Sequence, residues 1–309
     1  MKEIYVNLKR FEVPRSMGGI CTAEDPITWI RQIMKETIEL GLGSLKDVDV
    51  TYFLPEALLV PAMEALAEEA PARVGCFKLG CAGVFREDVE PGKNFGAFTT
   101  NRPAAALQAL GCNWVLVGHS EERADKLSAL ALYDAAAGVP GKPEAAESAV
   151  ERMISEEMLC ALRRGMNVLY CIGETEEQKG SADPAVYEPR VRQVLRRQIE
   201  EGVSRGAEIL RERQRLCIAY EPIWAIGPGK TPATGEYVSF VSSCIKEYCR
   251  ELCGKELPIV YGGGLKEENA EDIASVKTID GGFVALTKFT PPIGFDVGSL
   301  KNIIGAYIG

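Results

Sequence analysis

Short apolar runs alternate with amphipathic stretches of helical length from one end of the chain to the other. The runs fall at residues 4–9, 50–54, 74–80, 114–119, 167–172, 216–221, 258–261 and 282–286. Most are apolar at successive positions and do not alternate with polar ones, which predicts parallel strands buried on both faces. Helices are predicted at 26–40, 56–69, 103–110, 147–164, 183–213, 235–252, 268–275 and 298–307. Asp25-Pro26 marks the first helix start, with a capping carboxylate before a proline at the first helical position. Eight strand-then-helix units predict an α/β fold, a single (β/α)8 barrel over residues 1–309. Such barrels typically need about 250 residues. The surplus is assigned to insertions near 10–25 and 124–146, the second an Ala-rich surface excursion containing Gly138-Val139-Pro140-Gly141-Lys142-Pro143.

In a parallel barrel the C-terminal ends of the strands carry the chemistry. Lys9, His119 and Glu221 fall at the predicted ends of strands one, four and six. Glu221 is followed by a loop that is stiff at one end, through Pro222 and Trp224, and permissive at the other, through Gly227, Pro228 and Gly229. A carboxylate beside a hinged loop suits proton abstraction under a closing lid. An ordinary β–α connection with one solvated Glu is the alternative. Likewise Lys9 could be a surface lysine and His119 a satisfied core residue.

Residues 219–231, Ala-Tyr-Glu-Pro-Ile-Trp-Ala-Ile-Gly-Pro-Gly-Lys-Thr, resemble the catalytic-base strand and lid loop of the triosephosphate isomerase family. Asn7-Leu8-Lys9, Gly118-His119-Ser120-Glu121, Cys171-Ile172-Gly173-Glu174-Thr175 and Tyr261-Gly262-Gly263 resemble further motifs of that family in the same order. Gly96-Ala97-Phe98-Thr99 is similar to its dimer arm. The resemblance implies a TIM barrel that interconverts dihydroxyacetone phosphate and glyceraldehyde 3-phosphate through an enediolate. It implies Glu221 as base, His119 as the electrophile that shuttles hydrogen, and Lys9 as fixed positive charge. Asn7, Lys9, Gly227, Gly264, Ala285 and Leu286 are the implied substrate-binding positions, with Glu121, Cys171 and Thr99 supporting. Packing alone also accounts for Cys171, and a helix entry for Glu174.

Departures from the pattern fall at the phosphate pocket, where the lid also carries an extra residue in Thr231-Pro232-Ala233-Thr234, and at the dimer contact. The family has a Ser where this chain has Gly264, and a Gly-Gly pair where it has Ala285-Leu286. Lys288 nearby could add positive charge. The family's Glu and Arg at the dimer contact are Asn101 and Glu122 here, with Arg123 kept. The alternatives are therefore an isomerase of a related short sugar phosphate such as a tetrulose phosphate, and a non-catalytic barrel that binds a partner.

Composition narrows the rest. The net charge of −9 argues against nucleic acid and offers an anionic substrate no global attraction, so a phosphate must be held by local groups. No apolar run is long enough to span a bilayer and no leader-like segment is seen, which predicts a cytoplasmic protein without membrane partners. Ten cysteines without Cys-x-x-Cys spacing, beside a single histidine, predict reduced, buried thiols and no metal. No cofactor is expected. The expected partners are a small phosphorylated sugar and, by resemblance, a second copy in a homodimer.

Overall fold

Eight parallel strands close on themselves in chain order, β1 Lys2–Asn7, β2 Val48–Leu54, β3 Phe77–Cys81, β4 Trp114–Val117, β5 Asn167–Ile172, β6 Leu216–Tyr220, β7 Ile259–Tyr261 and β8 Gly281–Val284. The final pairing joins β1 to β8 with Val6 beside Val284. The computed structural model describes residues 1–135 and 144–309. Residues 138–143 of the second insertion lie outside them.

The strands are buried on both faces because each face meets a different core. Tyr5, Phe53, Trp114, Leu169, Cys217 and Phe283 point inward and fill the barrel. Their neighbours along the strands, such as Val6, Tyr52, Val115 and Ile218, point outward against the helices. A charged ring closes the N-terminal end: Arg215 pairs with Glu3 and Asp49, and Lys78 with Asp49.

Around this sit α1 Pro26–Glu39, α2 Glu56–Ala67, α3 Ala104–Ala109, α4 Ser120–Tyr133, α5 Glu144–Arg163, α6 Glu176–Lys179, α7 Pro184–Arg197, α8 Ser204–Ile209, α9 Gly235–Cys253, α10 Glu267–Ala274 and α11 Val297–Ile308. Asp25 caps α1 as its sequence predicts, accepting the N–H groups of Ile27 and Thr28. Trp29, Ile30, Ile33, Met34 and Ile38 then form its buried stripe.

Three predicted elements differ. The third strand begins at Phe77 and not at 74, because Pro71–Arg73 form a 3₁₀ turn that carries the chain into it. The second insertion opens with a helix: α4 follows β4 directly, where the Ala-rich composition predicts an excursion. The long helix predicted over 183–213 is α7 and α8 joined by a π-helical turn, Gln198–Val203. That turn aims Gln198 inward, where its amide exchanges two hydrogen bonds of 3.0 Å with the Gly173 peptide at the end of β5. The thiols are free, as predicted, but Cys76 and Cys253 are only partly buried.

Candidate active site

β1, β4 and β6 deliver their predicted residues to one end of the barrel. Asn7 closes β1 and is 3% exposed, and its Oδ1 accepts the Lys9 N–H at 2.9 Å. This bond holds Lys9 at φ +44, a left-handed conformation that a non-glycine residue adopts only under constraint. Lys9 Nζ thereby reaches Glu121 Oε1 at 2.6 Å. Burial opposes ionisation of Glu121, but Lys9 outweighs it and keeps the carboxyl below its ordinary range.

His119 sits between β4 and α4 as the helix cap, and its Nδ1 accepts the Glu121 N–H at 3.2 Å. An imidazole that accepts at Nδ1 carries its proton on Nε2. Nε2 lies 3.2 Å from Glu221 Oε1, while Glu221 Oε2 accepts the Ser120 N–H at 3.2 Å. Glu221 is 3% exposed, just past β6. A buried carboxylate, a ring N–H and an ammonium therefore converge from three strands. Asn7, Lys9, His119 and Glu121 line one cavity of 690 Å³.

Cys171 belongs to the barrel interior, and its thiol is pushed well above its ordinary range by burial and by Glu221 beside it. It packs as a neutral group.

The loop after β6 is anchored at its N-terminal side. Trp224 lies in a 3₁₀ turn, Ile223–Ala225, and donates its Nε1–H to Glu174 at 2.7 Å. Glu174 is fully buried and also accepts from Tyr220 and Tyr237, at 3.0 and 2.8 Å. Burial raises the Glu174 pKa and these three donors only partly offset it. Lys179 places its ammonium 3.6 Å from the Trp224 ring centroid. Lys179, Tyr220 and Tyr237 carry no signal along the chain, because each is unremarkable in its own element. Only the fold brings them to Trp224.

Gly227, Gly264, Ala285 and Leu286 lie on the loops after β6, β7 and β8, and none lines the cavity of Lys9 and His119. Ala285 and Leu286 are half-buried. Lys288 is not free to hold an anion by itself, since its Nζ pairs with Asp296 at 3.3 Å. Thr99 is exposed and points into no part of its own chain's cavity.

Known proteins place this arrangement. The whole chain superposes on the crystal structure of triosephosphate isomerase from Bartonella henselae with a TM-score of 0.65 and 20% identity, covering 99% of that chain. The likeness at that identity concerns the fold. Triosephosphate isomerase of Oleidesulfovibrio alaskensis is 32% identical over 230 residues, 73% of this chain and 78% of the relative. That of Carboxydothermus hydrogenoformans is 34% identical over 251 residues, 79% of this chain and 82% of the relative. Residues 81–291 match the family model described as triosephosphate isomerase, and with the barrel and these relatives the chain belongs to the triosephosphate isomerase family.

Proposed function

We propose that the protein interconverts dihydroxyacetone phosphate and glyceraldehyde 3-phosphate. The observation that carries this reading is the 3.2 Å approach of His119 Nε2 to the buried Glu221 carboxylate, with Lys9 and His119 lining one cavity. Glu221 takes the proton from C1 of the ketose and returns it to C2. Between the two transfers the charge resides on the enediolate oxygens, which receive the Nε2–H of His119 and face the ammonium of Lys9. His119 Nε2 gives its proton to O2 and recovers the hydroxyl proton of O1, while Glu221 returns a proton to carbon, so both residues are restored and no cofactor enters the balance.

Progress curves on dihydroxyacetone phosphate test this, with Glu221→Gln beside the parent. The amide cannot accept a proton, so kcat should fall by about 10²–10⁴-fold or more while the fold is kept. Retention of more than about a tenth of kcat would remove Glu221 from the role of base. A tetrulose phosphate is the second substrate to assay, because Gly264 lacks the hydroxyl and Ala285-Leu286 are bulkier than the glycine pair they replace. Turnover of neither would favour a binding protein on this barrel.

We further propose that two copies associate through the segment that includes Phe95 and Thr99. Phe95 is 88% exposed, an apolar ring in the same segment as Thr99 that a second copy could cover. Light scattering should give twice the chain mass of 33.6 kDa, and Phe95→Asp should return it towards the single-chain value. A parent protein of single-chain mass at micromolar concentration would dispose of the dimer.

A further inference from the structure

The backbone turns sharply between the end of β4 at Val117 and the start of α4 at Ser120, and Gly118 makes the turn at φ +75. A side chain there would meet the Cys171 carbonyl oxygen at 2.9 Å, so the position is strained and crowded for any other residue. Two consecutive residues of α4 hold this glycine. Glu122 Oε2 accepts the Gly118 N–H at 2.6 Å. Arg123 donates from Nε to the Gly118 carbonyl at 2.7 Å and from Nη2 to the Cys171 carbonyl at 2.7 Å. Both ends of the residue preceding His119 are thus fixed by side chains.

Glu122 is itself held from behind. Lys126, one turn further along α4, donates to Glu122 Oε1 at 2.5 Å and lies 2.9 Å from Glu157 Oε1 on α5. Glu157 is 4% exposed, and its carboxyl faces that of Glu122. Burial raises the Glu157 pKa and Glu122 raises it further, so Glu157 stays protonated where Glu122 is charged. Burial acts against ionisation of Glu122 as well, but the Glu157 acid, the Lys126 ammonium and the Gly118 N–H together hold its carboxyl below the ordinary range. A buried pair of carboxyls sharing one ammonium is a poor device for stability alone. All three side chains line the cavity that Lys9 and His119 share.

We propose that Glu122 is a positioning residue for proton transfer: backed by Lys126 and Glu157, its carboxylate fixes the Val117–Gly118 peptide and, with Arg123 on the Gly118 carbonyl, the turn that sets the direction in which His119 Nε2 faces. The kinetic part of this rests on the isomerase reading; the structural part does not. Aiming the ring matters because a misplacement of about 1 Å at a reacting group can cost on the order of 10²-fold.

His119 is the only histidine, so its ring nitrogens give a single pair of signals in a ¹⁵N-labelled protein. The parent should show one protonated nitrogen and one unprotonated, hydrogen-bonded nitrogen. Glu122→Ala should move the two signals towards each other as the ring loses its fixed orientation, with circular dichroism unchanged. Glu122→Gln keeps an oxygen for the Gly118 N–H and should retain the parental signals. In progress curves Glu122→Ala should lower kcat by about 10–100-fold with KM within about twofold, and Glu122→Gln should recover most of it. Lys126→Met, which leaves Glu122 in place and removes its support, should shift the signals in the same sense by a smaller amount. Parental signals in a folded Glu122→Ala protein, or equal effects of Gln and Ala, would overturn the proposal. An inactive parent would instead count against the isomerase reading, and the imidazole signals would still decide the role of Glu122.

Discussion

Lys9 and Gly264 both sit at positive φ on the end of the barrel that carries the candidate site, at +44 and +87. For Lys9 the constraint is visible in the Asn7 hydrogen bond. For Gly264 it has a consequence for the missing hydroxyl. A serine placed there would have room, since its Cβ would meet nothing nearer than the Ala225 carbonyl at 3.9 Å. It would carry a left-handed backbone, at a cost of about 1–2 kcal/mol. That strain is the same with and without substrate, so it appears in stability and cancels in binding. Gly264→Ser should therefore lower the melting temperature by about 2–6 °C, and lower KM for dihydroxyacetone phosphate by up to about tenfold through a charge-assisted hydrogen bond. The two effects are measured separately, by calorimetry and by initial rates. A lower melting temperature with KM unchanged would show that the phosphate is held away from Gly264.

At the scale of the element, the loop after β6 has two unlike halves. Residues 222–225 are pinned through Trp224 to Glu174 and Lys179, whereas Gly227 and Gly229 have φ of +115 and +79 and no neighbouring atoms where a side chain would stand. Amide exchange should be slow over 222–225 in the free protein and fast over 226–232. A 2-phosphoglycolate-type mimic of the enediolate should slow the second half alone. Unchanged exchange over 226–232 at saturating mimic would remove the lid function from this loop. The pattern of Pro222, Trp224 and the two glycines made these halves predictable from the chain itself. So were the eight strands and most helix limits, because continuous apolar runs and the Asp25-Pro26 cap act through neighbours in sequence. The π-helical turn at Gln198–Val203 and the helix at Ser120–Tyr133 were not. Gln198 is set by the Gly173 peptide it meets across the barrel wall, and α4 has no buried residue to print a stripe on its sequence. Nor could spacing along the chain connect Lys179 with Trp224 or Glu122 with Glu157, which meet only once the barrel closes.

For the whole molecule, buried carboxyls set how stability depends on pH. Glu157 is pushed up to about 9 by burial first and by Glu122 second, whereas in an unfolded chain it titrates near the ordinary glutamate value of about 4.3. The sign follows from which state keeps the proton. Below about pH 4 both states are protonated, and the Glu157 contribution is present in full. Between there and about pH 9 the unfolded chain releases a proton that the folded chain retains, so unfolding becomes progressively easier. Glu122 runs the other way, because its folded pKa is depressed, but its change is complete once the pH exceeds its ordinary range. Glu174, also raised by burial, contributes in the same sense as Glu157. Glu157→Gln replaces the acid by an amide that cannot ionise and removes one part of that decline. Urea unfolding at pH 6 and pH 9 should show the parent losing roughly 1–3 kcal/mol more than Glu157→Gln across the interval, with equal m-values. Parallel losses in the two proteins would mean that Glu157 is not the group that titrates.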